Sequence, residues 1–253
     1  KYVDQASEGM QRKLENEIKA VTDNKFKVRN YTELSKANDT LSEDTKELAG
    51  DRNVFGDELE DRANAWPGVL NQMTDHIVVG IAKPGASNSW ICNKVIQKCL
   101  EQKPQLAIIA WTTSDRYEFF GEDNSSLCVN INDGDTNPFV KQLYSDYHNT
   151  SGKFLEWICQ IILLQNFLEN QGIEYRFVHA FASGINNIID KNKSNPHFKK
   201  MLSFLNTNYF ISWLEEDFIK WSKGSSLGPN GHFLEQGHRQ VAEQMYERIR
   251  DII

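Results

Sequence analysis

The sequence predicts an α/β fold in three layers over residues 49–253, with a mostly parallel central sheet flanked by helices and an N-terminal helical or extended arm over residues 1–48. Three observations lead there. Short apolar runs recur at His76–Ala82 (HIVVGIA), Gln105–Trp111 (QLAIIAW) and Glu174–Phe181 (EYRFVHAF), each too short for a buried helix and rich in β-formers. Helix-length segments separate them, as parallel strands require of their crossovers. Two of these runs, HIVVGIA and QLAIIAW, lack polar alternation, which marks strands buried on both faces under helices.

Each element follows from local signals. After HIVVGIA, the stretch Lys83-Pro84-Gly85-Ala86-Ser87-Asn88 reads as a turn, and a helix is expected over Ser89–Gln102 with Trp90, Ile91, Val95, Ile96 and Leu100 inward. Pro104 closes that helix. Residues 121–151 read as a long polar loop, and its Asp133-Gly134-Asp135 lacks the terminal glutamate of a calcium loop. The next helix, residues 152–170, is apolar on most faces and ends at Gly172, a C-cap by type. A helical region over 186–205 is divided by Pro196. The group Tyr209, Phe210, Trp213, Phe218 and Trp221 has no clear period and suits packing core or a ligand cleft. Val241, Met245, Ile249 and Ile252 form an apolar stripe on a last helix over 235–252.

The first 48 residues differ in kind. Met10, Leu14, Ile18 and Val21 fall at helical spacing, so residues 6–22 are read as one amphipathic helix, followed by an extended stretch over 23–47. A single apolar stripe cannot bury itself, so it is expected to pack on the main domain or to dock a protein partner. The opening Lys1-Tyr2-Val3-Asp4-Gln5 has neither the apolar core of a signal peptide nor an initiator Met, which leaves room for residues ahead of it.

Composition narrows the function. A net charge of −7 argues against a general nucleic-acid binder, which needs a basic face for phosphates. No window approaches 18 consecutive apolar residues, so no membrane-spanning helix is expected. The four cysteines, Cys92, Cys99, Cys128 and Cys159, show no CxxC pairing and are read as free thiols of a reducing compartment or a virion. The histidines match no ligand spacing, so no metal and no cofactor is assigned.

Open parallel sheets place their ligands at the carboxyl ends of strands. Three stretches there, taken together, resemble the SGNH (GDSL) hydrolase superfamily. Gly50-Asp51-Arg52-Asn53-Val54-Phe55-Gly56-Asp57-Glu58-Leu59, continuing to Ala65-Trp66-Pro67-Gly68, is similar to the opening block Gly-Asp-Ser-x-x-x-Gly and its Trp-Pro continuation, with a GDEL…AWP pattern like that of phage-encoded members. Gly85-Ala86-Ser87-Asn88 is similar to the second block, and Trp111-Thr112-Thr113-Ser114-Asp115-Arg116 stands in the place of the third. Gly231-His232, followed by Gly237-His238, resembles the closing block. The resemblance implies a three-layer flavodoxin-like α/β fold and an acyl-cleaving centre. His232 would be its base, Gly85 would offer a backbone donor to an oxyanion, and Asn88 would offer a side-chain donor.

Two positions depart from that pattern. The serine's place holds Arg52, whose guanidinium stays protonated and cannot attack a carbonyl. Shifting the match to Gly56-Asp57-Glu58 puts a glutamate there and shortens the gap to Trp66. Where an aspartate is expected ahead of the histidine stand Pro229 and Asn230, and asparagine can hold an imidazole only without charge. The stretch Asp44–Ala49 is also a poor strand for the place before the first block. Two functional readings stand. One is a catalytically impaired domain serving as a binding or assembly module, a phage structural component in one form, with residues 1–48 meeting a protein partner and an ester or glycan as ligand. The other is an active serine esterase.

Overall fold

The computed structural model describes residues 56, 58–120, 126–135, 137–181 and 184–253. The arm over 1–48, the stretch before the first block and Arg52 lie outside these residues. The elements are α1 (Trp66–Met73), α2 (Asn88–Glu101), β1 (Leu106–Trp111), β2 (Tyr117–Phe120), β3 (Ser126–Val129), α3 (Pro138–Gln142), α4 (Thr150–Gln171), β4 (Glu174–His179), α5 (Ile185–Asn192), α6 (Pro196–Leu202), α7 (Phe218–Trp221) and α8 (Glu235–Ile249).

β1 and β4 form a parallel ladder in register from Leu106↔Glu174 to Trp111↔His179. The Ala180 N–H extends it to the Trp111 carbonyl at 2.8 Å. Beyond β4, Phe210 adds a parallel bridge to Phe177. Side chains alternate across this ladder. Ala107, Ile109, Trp111, Tyr175 and Phe177 face one core with Cys92 and Cys99 of α2, Phe154, Trp157, Ile158 and Ile161 of α4, and Phe198 of α6. Leu106, Ile108, Ala110 and Val178 face a second core with Trp66, Val69 and Leu70 of α1, Phe218 and Trp221 of α7, and Val241, Ala242, Met245 and Ile249 of α8. The three-layer α/β fold with a parallel central ladder is therefore observed, and each layer is closed by burying an apolar helix stripe. Among the described residues no helix is long and apolar enough to cross a membrane.

Local chemistry sets the ends. Ser87, almost fully buried, caps α2 by accepting the Trp90 N–H at 3.0 Å. Gly172 ends α4 in the left-handed region at φ 60° and takes the expected C-cap role. Asn195 caps α6, whose first residue is Pro196, so the expected division of the 186–205 region is found. The aromatic group over 209–221 packs: Phe210, Phe218 and Trp221 are buried, and Tyr209 and Trp213 lie half-buried against the first core.

Several expectations change; the last helix, for one, ends at Ile249 and leaves Ile252 exposed rather than in its apolar stripe. His76–Ala82 is irregular rather than a strand, with Ile77 92% exposed and Val79 and Ile81 also outward. A strand needs a ladder partner, and none of the described residues supplies one; instead the Val78 N–H is taken by the Asn71 side chain at 2.8 Å. Leu100, expected inward, is exposed, because Cys92 and Cys99 hold the buried line of α2. The polar stretch after residue 120 also carries more structure than a loop. β2 and β3 pair antiparallel, and Asn137 and Asn149 cap α3 and α4 through their side chains. Asn is a strong N-cap, so a polar stretch starts a helix such as α3 that hydrophobic periodicity does not reveal.

Candidate active site

The closing block begins as a hairpin. Leu227 and Phe233 form an antiparallel bridge, and the Gly228 N–H donates to the His232 carbonyl at 2.8 Å. Between them Gly228-Pro229-Asn230-Gly231 makes a turn closed by the Gly231 N–H on the Gly228 carbonyl at 2.9 Å. Pro suits the second position of such a turn, and Gly231 takes φ 79°. The fully buried Phe233 anchors the hairpin in the second core. His232 is thereby fixed just before α8, with its side chain 12% exposed.

The group that meets His232 comes from far upstream. Gly56, buried at φ 72°, opens a tight turn that ends with the Leu59 N–H on the Gly56 carbonyl at 3.0 Å. Glu58 sits in that turn with φ 72°, a left-handed conformation that is rare for a non-glycine residue. Its carboxylate accepts the His232 Nδ1 proton at 2.9 Å and the His232 backbone N–H at 3.2 Å through Oε2. Through Oε1 it accepts the Asn230 backbone N–H at 2.8 Å and the Asn230 Nδ2 at 3.0 Å. Burial pushes the Glu58 carboxyl up, but the Asn230 and His232 N–H groups and the imidazole outweigh it and hold the carboxyl below its ordinary value. Gly228 makes the approach feasible, since a Cβ there would lie 2.7 Å from the carboxylate.

Asn230, expected beside the imidazole, thus grips Glu58 instead, and the imidazole is held by the carboxylate. Sequence reasoning reached Glu58 only as an ill-spaced substitute for a serine. Its partnership with His232, 174 residues away, left no local signal. Gly237 and His238 hold the frame. A Cβ on Gly237 would lie 2.5 Å from Phe233, so only glycine lets α8 start against the hairpin. His238 is fully buried and accepts the Trp66 N–H at 3.2 Å through Nδ1, which ties the start of α1 to α8. That contact brings the Glu58 turn and the His232 hairpin to the same end of the second core.

The second block is also built from local bonds. Lys83-Pro84-Gly85-Ala86 is a turn closed by the Ala86 N–H on the Lys83 carbonyl at 3.0 Å, with Gly85 at φ 71° and open space where a Cβ would stand. Asn88, 5% exposed, accepts the Thr112 N–H at 3.0 Å, and its Nδ2 donates to the carbonyls of Thr112 and Thr113 at 3.2 and 3.1 Å. Its donors are thus engaged in pinning α2 to the end of β1. Arg116 donates to the Ala86 carbonyl at 3.0 Å and joins the second and third blocks from the other side.

No protein-family model matches this chain, and no curated protein matches it. Among solved structures it is similar to a protein from Desulfitobacterium hafniense DCB-2 described as lipolytic and of the G-D-S-L family. The two are 15% identical over 79% of this chain and 95% of that one, with a TM-score of 0.46.

The described site pairs one imidazole with one carboxylate. A carboxylate on Nδ1 fixes the imidazole's orientation and favours the tautomer that leaves Nε2 as a proton acceptor. Among the described residues no hydroxyl is hydrogen-bonded to His232.

Proposed function

We propose that this chain is an SGNH-hydrolase-like domain that keeps the base of an acyl-cleaving centre, lacks its serine, and serves as a binding or assembly module. The observation that carries this reading is Arg52 in the serine's place in the sequence, together with a His232 ring that is held at Nδ1 by a carboxylate. In the sequence, Arg52 stands where the serine belongs, and a protonated guanidinium has no lone pair with which to attack an ester. Residues 1–48, which have no counterpart in the resemblance, are assigned to a protein partner in an assembly such as a phage particle. An ester or a glycan is the ligand class assigned to the hydrolase-like part.

The full chain is expected to resist labelling by a fluorophosphonate and to leave a short-chain nitrophenyl ester intact. Arg52→Ser is expected to gain both reactions, and Arg52→Ser combined with His232→Ala is expected to lose them again. Labelling of a serine in the unaltered chain would overturn the reading and favour its rival, an active serine esterase. That rival has one observation on its side, the well-held histidine base.

A further inference from the structure

We infer that Glu58 is the positioning residue of His232, supplying from the opening block the acid that the closing block lacks at Pro229 and Asn230. Four hydrogen bonds converge on one carboxylate: two backbone N–H groups, one side-chain amide and one imidazole. Both oxygens are used, so the carboxylate cannot turn without breaking at least two of these bonds. With a side chain only 10% exposed, it is screened from water, where a charge-assisted bond to Nδ1 counts for more than on the surface. The backbone serves the same contact. Glu58 holds a left-handed φ of 72°, and Gly228 leaves the space its carboxylate fills. A merely structural staple between two loops would be satisfied by the Asn230 and His232 backbone bonds. The additional bond to Nδ1 selects one tautomer, with the proton on Nδ1 and the lone pair on Nε2.

This inference rests on reading His232 as a base, and its test separates the two. The full chain carrying 15N-labelled histidine is measured by NMR above the range in which imidazole titrates, with His232→Ala identifying the resonance. The expected result is a His232 ring protonated at Nδ1. Glu58→Ala returns the ring to the Nε2–H tautomer that free imidazole side chains prefer, and Glu58→Asp restores Nδ1–H at least in part. A wild-type ring protonated at Nε2 overturns the inference, whatever the variants do. In the Arg52→Ser background, Glu58→Ala is expected to lower kcat by about 10⁴-fold with little change in KM, the pattern seen when a triad loses its orienting acid. An inert Arg52→Ser chain whose His232 still carries its proton on Nδ1 supports Glu58 as the positioning residue and counts against the serine's place at 52. An active one indifferent to Glu58 overturns the inference and leaves the proposed function standing.

Discussion

At the scale of single residues, two histidines are held neutral for packing. Burial pushes His179 down to about 4, against a partial opposing pull from Asp217. Burial, with a smaller push from the neighbouring His232, lowers His238 to about 4 as well. The ordinary value is 6.5, so between pH 6.5 and 4 the unfolded chain binds protons that the folded chain refuses. Their stabilising contribution is complete above pH 6.5, falls as the pH drops toward 4, and is flat below that. Between pH 7.5 and pH 5 the expected loss is on the order of 2 kcal/mol for each histidine. Urea melts at the two pH values check it, and His238→Ala should flatten the profile by its own share. A stability that rises on acidification would contradict the burial of both rings. His238 has a clear reason for refusing the proton, because its Nδ1 lone pair accepts the Trp66 N–H.

Among the elements, the joint between α2 and β1 depends on one side chain. Asn88 satisfies one N–H and two carbonyls at the carboxyl end of β1, where a chain leaving a sheet would otherwise bury unpaired groups. Replacing Asn88 by Ala is expected to cost about 2–4 kcal/mol, since it orphans buried backbone groups and leaves their partner site empty. Replacing Ser87 by Ala should cost about 1 kcal/mol, the usual worth of an N-cap. Thermal or urea denaturation of the two variants tests the order. A milder effect at Asn88 than at Ser87 would mean the joint is held elsewhere. The most apolar strands and helices were legible, because Leu106–Trp111, Thr150–Gln171 and Glu235–Ile249 carry strong apolar patterns, whereas β2, β3 and α3 were not. Legibility failed at His76–Ala82, whose composition suits a strand but whose backbone finds no ladder among the described residues. β-propensity describes a side chain's fit to a sheet and cannot provide the neighbour.

On the scale of the whole molecule, two cores share one ladder. Ile158 of α4 is fully buried on one side and Met245 of α8 on the other, each packed against alternate residues of β1 and β4. Truncating either to Ala is expected to cost about 2–5 kcal/mol. Because both layers close on the same two strands, either variant should lower amide-exchange protection in both. Loss confined to the mutated side would show that the layers unfold separately. The site is a product of this same packing. α8 lies against α1, His238 bonds to the start of α1, and the Glu58 turn and the His232 hairpin meet beside that contact.

Periodicity and turn chemistry, read along the chain, determined the layers and several helix ends, because those signals act within a few residues, whereas His232 was reached only through a resemblance to a known family. The partners of the polar side chains were decided only by the packed structure. Nothing near Asn88 names Thr112, and nothing near His232 names Glu58, 174 residues earlier. Burial of apolar faces brings such segments together without regard to their separation in sequence, and hydrogen-bond geometry then selects which groups meet.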